Sequence, residues 1–216
     1  MNPWKARGVP VIGRGDPPLY AALRVFCACV VVPLYRFRVR GSGHVPASGG
    51  VILAVTHKSW GDPVLTAMAF RRPLRFMAKS ELFGSRFFGR LVTMLGAFPI
   101  KRGTADIEAL RASLDIVADG GMLLMFPEGH RYHDDRVHEF HAGIGMLALR
   151  SGAPILPVAL KGTRRLMDGG VPRFPRVRVV IGPPVDLSDI EGRRSAAYTA
   201  AAQRLHDAVA ELYERA

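Results

Sequence analysis

Cysteine is scarce in this sequence, since only Cys27 and Cys29 among its 216 residues carry a thiol. The two stand two positions apart in a continuous apolar run, which is too close for an easy mutual disulfide. The run also lacks the other ligands that a zinc site would need. The scarcity of cysteine therefore favours a reducing compartment.

A hydrophobic run long enough to cross a membrane is missing near the N-terminus. The apolar segment 19–35 has an uninterrupted uncharged part, 25–35, of only eleven residues, whereas a spanning helix needs roughly 20. Arginines flank it, so a helix that lies in the membrane interface fits the pattern. A signal-peptide core would need a cleavage site, and none is convincing before Pro33. An ordinary buried helix is the alternative. We expect residues 1–35 to associate with a membrane, ahead of a domain at 36–216.

Acidic side chains are in the minority. The chain has 18 aspartates and glutamates against 30 lysines and arginines, for a formal net charge of +12. This excess predicts acidic partners, which are nucleic acid, an anionic membrane surface, or phosphorylated and carboxylated substrates. The sequence shows no helix-turn-helix, RNA-stacking motif or zinc finger, so we expect no nucleic-acid partner.

Several familiar catalytic motifs are absent. The sequence has no Gly-x-Ser-x-Gly elbow, no phosphate loop that ends in Gly-Lys-Ser/Thr, and no Gly-x-Gly-x-x-Gly at the start of a helix. Their absence argues against a serine hydrolase, a P-loop nucleotidase and a dinucleotide-dependent oxidoreductase.

Beyond residue 35 the pattern alternates strands and helices, as in an α/β domain. With 49% apolar residues the chain can bury one sizeable core, and no repeat or low-complexity linker divides it. The predicted strands are 36–40, 51–56, 74–78, 98–100, 122–126, 155–160 and 177–181. The predicted helices are 63–70, 81–95, 104–118, 142–150 and 194–215.

The most informative local pattern is His57-Lys-Ser-Trp-Gly-Asp62, directly after a buried strand. An imidazole held by a carboxylate can take a proton from a hydroxyl near neutral pH. If the substrate carries the attacking hydroxyl, this pair is enough to run acyl transfer. A plainer interpretation is that Asp62 is a helix N-cap before Pro63, and the two roles are compatible.

Three further boxes follow this one. They are Gly-Ala-Phe-Pro-Ile-Lys-Arg at 96–102, Phe-Pro-Glu-Gly-His-Arg at 126–131 and Ala-Pro-Ile-Leu-Pro-Val at 153–158. In order and spacing the four boxes resemble the glycerolipid acyltransferase family, typified by bacterial lysophosphatidic acid acyltransferases. The resemblance runs over 51–162, about half of the chain. It implies a single α/β domain with a mixed, mostly parallel sheet flanked by helices.

The resemblance also implies roles for particular residues. His57 would be the general base on the acceptor hydroxyl and Asp62 would fix its tautomer, with direct attack on a thioester and no acyl-enzyme. The fourth box would be a core strand that shapes the acyl pocket. The residues implied in binding the phosphate and glycerol part of the acceptor are Arg102, Glu128, Gly129 and Arg131, with Lys101 as a further candidate.

The resemblance further implies the partners. The acyl donor would be acyl-coenzyme A or acyl-acyl carrier protein, used as a co-substrate without any other cofactor. The acceptor would be a lysophospholipid, most simply 1-acylglycerol 3-phosphate, at the cytoplasmic face of the cell membrane. Two residues depart from the family pattern and bear on the identity of the acceptor headgroup. His130 stands where the family usually has threonine or serine, and His141 stands where it commonly has lysine.

Two other classes of function compete. The first is a metal-dependent hydrolase, because the 130–141 segment is rich in histidine and acidic residues. His138 and His141 have a helical spacing that could present both imidazoles to one metal ion, and Glu128 or Asp134 would complete the ligand set. The second class is a non-catalytic peripheral lipid-binding module. Binding alone needs no base, so the His57 and Asp62 pair argues against it.

Overall fold

The helices and strands follow the alternation of the sequence. The computed structural model describes residues 18–85, 89–90, 92–93, 95–100, 107–168, 170–191 and 195–216. The helices are α1 (Pro18–Leu34), α2 (Asp62–Ala67), α3 (Ile107–Ala118), α4 (Ala142–Ser151) and α5 (Ser195–Arg215). The strands are β1 (Arg38–Arg40), β2 (Val51–Val55), β3 (Leu74–Lys79), β4 (Ala97–Ile100), β5 (Met122–Met125), β6 (Ile155–Lys161), β7 (Met167–Asp168), β8 (Val171–Pro172) and β9 (Arg178–Ile181).

Seven of these strands form one sheet in the order β1-β9-β6-β2-β5-β3-β4. Every neighbouring pair is parallel except β6 and β9, which run antiparallel. The central strand β2 is buried at all five positions, as expected of an apolar run covered on both faces. The predicted mixed, mostly parallel sheet is therefore confirmed.

Helices cover both faces of the sheet. Because side chains alternate along a strand, Val51, Leu53 and Val55 of β2 lie in one hydrophobic cluster, together with residues of α1 and α2. Ile52 and Ala54 lie in a second cluster with residues of α3, α4 and α5. We call these the α1 face and the α5 face of the sheet.

Helix α1 has an inner and an outer side. Ala28 and Val32 are buried in the cluster of the α1 face. Phe26, Val30 and Leu34 recur every four residues and are 65%, 43% and 42% exposed. One side of the predicted apolar segment is thus core and the other is open surface. Among the described residues, no helix is long and apolar enough to cross a membrane.

Some predicted elements differ from the structure. The helix predicted at 63–70 ends at Ala67, and the one predicted at 81–95 contains a 3-10 turn at Ser80–Phe83 and helical residues at 89–90 and 92–93. Residues 86–88, 91 and 94 of that prediction, 104–106 of the next helix and 194 of the last helix lie outside the described residues. The small β7–β8 hairpin was not predicted, because two-residue strands carry no readable alternation.

Candidate active site

The first and third boxes meet where two parallel strands end. His57 follows β2, Phe126 follows β5, and β2 pairs with β5 in the sheet. The carboxyl ends of parallel strands are where open α/β sheets bind ligands. The His57 and Phe126 rings stack with their centroids 3.9 Å apart and 17° between their planes. Side chains separated by 69 positions in sequence therefore share one site.

His57 and Asp62 are in direct contact. Nδ1 of His57 lies 2.9 Å from Oδ2 of Asp62, and the two side chains are 13% and 0% exposed. An ionised carboxylate only accepts hydrogen bonds, so Nδ1–H of the imidazole donates and Nε2 keeps its lone pair. This tautomer is the one in which Nε2 can accept a proton from a substrate hydroxyl.

The Asp62 carboxylate is fixed by the loop that precedes it, and this differs from the N-cap interpretation. Its Oδ2 accepts the backbone N–H of Lys58 at 2.6 Å and of Ser59 at 2.7 Å. The residue at the N-cap of α2 is Gly61, with no side-chain cap. Because Asp62 is already the first helical residue, its carboxylate points back into the loop. It holds His57 and the loop together.

Glu128 is placed differently from the expected contact with the phosphate and glycerol part of the acceptor. Its side chain is 0% exposed, and both of its oxygens are engaged. Oε1 accepts the backbone N–H of His57 at 2.9 Å. Oε2 accepts from Lys58 Nζ at 3.0 Å and from the backbone N–H of His138 at 3.3 Å. Glu128 therefore ties the first box to the third in this structure, and its carboxylate is not presented to an anionic acceptor.

Lys58 is the functional-site residue that sequence reasoning missed. Its side chain is 1% exposed, pairs with Glu128, and lies 3.8 Å from Oδ1 of Asp134. Its Nζ also donates to the carbonyl of Arg136 and sits 5.7 Å from the centroid of the Tyr132 ring. A buried ammonium needs such partners. The only signal in the sequence was a lysine directly after the box histidine.

The segment after the third box is an ordered loop. His138 bonds Asp134 through Nε2 at 2.8 Å and stacks on Tyr132 with ring centroids 3.6 Å apart. Arg164 donates to Asp135 at 3.1 Å, and this hydrogen bond lowers the pKa of Asp135 below its ordinary value. Asp134, Asp135 and His138 of this loop therefore all have polar partners within the protein.

The geometry does not support the metal-hydrolase interpretation. Residues 137–141 are not helical, and α4 begins only at Ala142, so the helical spacing assumed for His138 and His141 is wrong. Within the described part of the chain, no group of three or more His, Cys, Asp or Glu side chains is placed to hold a metal ion.

Of the remaining predicted site residues, the structure describes Gly129 and Arg131 and the fourth box. Gly129 has φ +71°, and a Cβ there would lie 2.6 Å from Nε2 of His141, so the position suits only glycine. Arg131 is exposed next to it. Lys101 and Arg102 lie outside the described residues. The fourth box enters β6, whose first six residues are buried beside β2.

Comparisons with known proteins show the family to which the chain belongs. A sequence model described as "Acyltransferase" matches residues 36–161. The chain is 32% identical, over 187 residues, to the 1-acyl-sn-glycerol-3-phosphate acyltransferase of Streptococcus pneumoniae, which covers 82% of this chain and 67% of that protein. It is 33% identical to the lyso-ornithine lipid O-acyltransferase of Pseudomonas aeruginosa over 138 residues, which cover 63% of this chain and 51% of that protein.

A solved structure has the same fold. The crystal structure of the 1-acyl-sn-glycerophosphate (LPA) acyltransferase PlsC from Thermotoga maritima matches with a TM-score of 0.68, covering 94% of this chain and 83% of that one. At 23% identity this likeness concerns the fold alone. The chain spans about half to two thirds of the length of the two relatives named above.

Proposed function

Because this chain belongs to the acyltransferase family, we propose that it moves a fatty acyl group from a thioester donor to the free hydroxyl of 1-acylglycerol 3-phosphate, giving phosphatidic acid. The observation that carries the proposal is the His57–Asp62 contact at 2.9 Å. It sits at the carboxyl end of a central strand, and the tautomer that it sets keeps a lone pair on Nε2 of the imidazole. The names of the relatives support the acceptor, and the net charge of +12 suits anionic substrates.

The reaction needs no nucleophile on the protein, because the acceptor hydroxyl attacks the thioester directly. Nε2 of His57 takes the proton of the acceptor hydroxyl while the oxygen forms a bond to the thioester carbonyl carbon. The tetrahedral intermediate collapses, the carbon–sulfur bond breaks, and the sulfur leaves with the proton that His57 returns. Asp62 holds the ring in the required tautomer and stabilises its transient positive charge. The products are an ester and a free thiol.

The acceptor phosphate is proposed to lie against the third box. Arg131 is exposed two positions after Gly129, whose backbone packs closely against His141. A guanidinium suits phosphate because it donates two parallel hydrogen bonds. Lys101 and Arg102 are proposed to complete this site, as the family resemblance implies. The proposed role of Glu128 is to hold the third box against the His57 loop.

We propose that the enzyme works as a peripheral protein at the cytoplasmic face of the cell membrane. The support is the outer side of α1, where Phe26, Val30 and Leu34 form an exposed apolar stripe. A contiguous apolar surface on a soluble domain commonly marks an interaction site, and helices of this kind lie in the membrane interface. The proposed membrane-associating part, residues 1–35, begins in a segment, 1–17, outside the described residues.

A panel of acceptors tests the proposed reaction. The purified protein is incubated with a labelled acyl thioester and, separately, with 1-acylglycerol 3-phosphate, lysophosphatidylcholine and a lyso-ornithine lipid, and labelled products are resolved by chromatography. We expect phosphatidic acid to form fastest. Preference for lyso-ornithine lipid would move the proposal to another acceptor within the family, and transfer to none of the three would contradict it.

A further inference from the structure

A second basic feature lies away from the His57 site, at the edge of the sheet. Arg36, Arg38, Arg176 and Arg178 line a cavity of about 230 Å³. Arg38 and Arg178 are direct register partners in the parallel pair of β1 and β9. Among the described residues, no aspartate or glutamate forms an ion pair with any of the four.

This arrangement brings like charges close together, and a bound anion would relieve their repulsion. Like charges directly opposite one another in neighbouring strands destabilise a sheet. An anion between the guanidinium groups reverses the sign of that interaction and gains charge-assisted hydrogen bonds. The cavity has room for a phosphate group. Four converging arginines favour phosphate over a larger apolar ligand, because a guanidinium matches phosphate geometry with paired donors.

The sheet topology places this cavity at the same end as His57. Strand β9 runs antiparallel to β6, and Arg178 pairs with Lys161, the last residue of β6. Since Val55 pairs with Val158, continuing that register by three residues puts Lys161 level with Lys58. In the sheet, β9 is two strands away from β2 and β1 is three strands away. At about 4.8 Å between neighbouring strands, the cavity is displaced from β2 by roughly 10 to 14 Å within the sheet.

The cavity also faces the side opposite α1. Val39 of β1 and Val179 of β9 are buried in the cluster of the α1 face. By the alternation of a strand, Arg38 and Arg178 point to the α5 face. In agreement, Arg178 Nη1 donates at 2.9 Å to a main-chain oxygen of Ala216, the last residue of the sequence, just beyond α5. The apolar stripe of α1 and the four arginines therefore lie on opposite faces, so one flat membrane is a poor match for both.

We propose that the four-arginine cavity binds the phosphate of the acyl donor, at the end of its pantetheine arm, while the thioester lies at His57. This inference rests on the proposed function. Coenzyme A and acyl carrier protein share this phosphate, which is the chemistry the arginines recognise. The arm from sulfur to phosphate has about as many backbone bonds as four amino-acid residues and reaches roughly 14 Å when extended. That reach is comparable to the roughly 10 to 14 Å that separate β2 from the cavity within the plane of the sheet.

The test compares donors with and without the phosphate at the end of the pantetheine arm. The double variant Arg38→Gln/Arg178→Gln is assayed with acyl-coenzyme A, with acyl-acyl carrier protein and with acyl-pantetheine, which has the same arm without phosphate. We expect the KM for the phosphorylated donors to rise about 10-fold or more, since a hydrogen bond to a charged group is worth about that factor. Saturation with acyl-pantetheine should be equal for variant and wild type. A larger rise for one phosphorylated donor identifies the carrier that is used.

The control variant is Arg111→Gln, which removes an exposed arginine from α3 and should leave all KM values unchanged. An equal loss with all three donors would assign the arginines a structural role and overturn the proposal. Weaker binding to anionic phosphatidylglycerol vesicles with unchanged donor KM would assign the cavity to a lipid headgroup, which also overturns it. If the wild-type protein transfers no acyl group, calorimetric titration of coenzyme A into both proteins still tests the cavity, with weaker binding expected in the double variant.

Discussion

At the scale of single residues, the site depends on a chain of hydrogen bonds that is continuous from Asp62 to Glu128. Asp62 holds the His57 ring and two backbone N–H groups of the box loop. Glu128 holds the His57 backbone and Lys58. The orientation of the base is therefore set by two buried carboxylates, one on each side of it. Such support is what keeps a catalytic group in its productive geometry.

Lys58 and Glu128 form a buried ion pair, which gives the first prediction at this scale. Lys58→Met should lower the free energy of unfolding by about 3 to 5 kcal/mol, because it leaves the Glu128 carboxylate buried without its cation. The double variant Lys58→Met/Glu128→Gln should lose less than the single variant. Urea unfolding of both proteins measures the difference.

The matched control for this pair is Lys161→Met. Lys161 is half-buried and its Nζ donates to the carbonyl of Tyr213 at 2.8 Å, so its loss leaves no carboxylate unpaired. We expect it to cost less stability than Lys58→Met. Equal losses for the two lysines, or a double variant less stable than Lys58→Met, would show that the Lys58–Glu128 pair does not stabilise the site.

The sequence predicted residues of this site unevenly, for a physical reason. His57 and Asp62 are five positions apart, so the geometry of one loop brings them together and their spacing is informative. Lys58 and Glu128 are 70 positions apart, and only the pairing of β2 with β5 makes them neighbours. Nothing local indicates that the Glu128 carboxylate points inward, and for that reason it was expected to face the substrate.

At the scale of elements, α1 has features of both the buried helix and the interfacial helix, which the sequence left as alternatives. Ala28 and Val32 pack into the core, as in a buried helix, and the outer side remains apolar and exposed. An apolar run without polar positions cannot reveal which side faces the sheet. The strands of the central sheet were predicted well because apolar runs between turn residues are typical of buried parallel strands.

The outer side of α1 is proposed to contact the membrane. Replacing Phe26, Val30 and Leu34 together by serine should weaken binding to anionic phospholipid vesicles at least ~10-fold, because a buried side chain of this size contributes about 1.5 to 3 kcal/mol. Sedimentation with vesicles measures the bound fraction. The substitutions lie on exposed positions, so the melting temperature should change little.

A matched control is Ile107→Ser, which changes a 60% exposed apolar residue at the start of α3. It lies in a helix that covers the other face of the sheet, and vesicle binding should stay at the wild-type level. If the triple variant binds vesicles as well as the wild type does, the α1 stripe is not the membrane contact.

At the scale of the whole molecule, the sheet separates three surfaces. The apolar stripe of α1 lies on one face, the arginine cavity opens on the other, and His57 sits at the strand ends, stacked on Phe126, which packs against the cluster of the α1 face. This arrangement would let a lipid acceptor approach from the membrane while a soluble thioester approaches from the opposite face. The cavity was not predicted from sequence, because its arginines come from segments more than 130 positions apart and meet only through the pairing of β1 with β9.

The central claim is that His57 removes the proton of the acceptor hydroxyl, and the most direct test is the turnover rate of His57→Ala with both substrates saturating. The matched control is His206→Ala, on α5, with melting temperatures measured for both. We predict that kcat falls at least ~100-fold for His57→Ala, as expected when a general base is lost, and stays at the wild-type level for His206→Ala. A folded His57→Ala protein that transfers acyl groups at the wild-type rate would contradict the account.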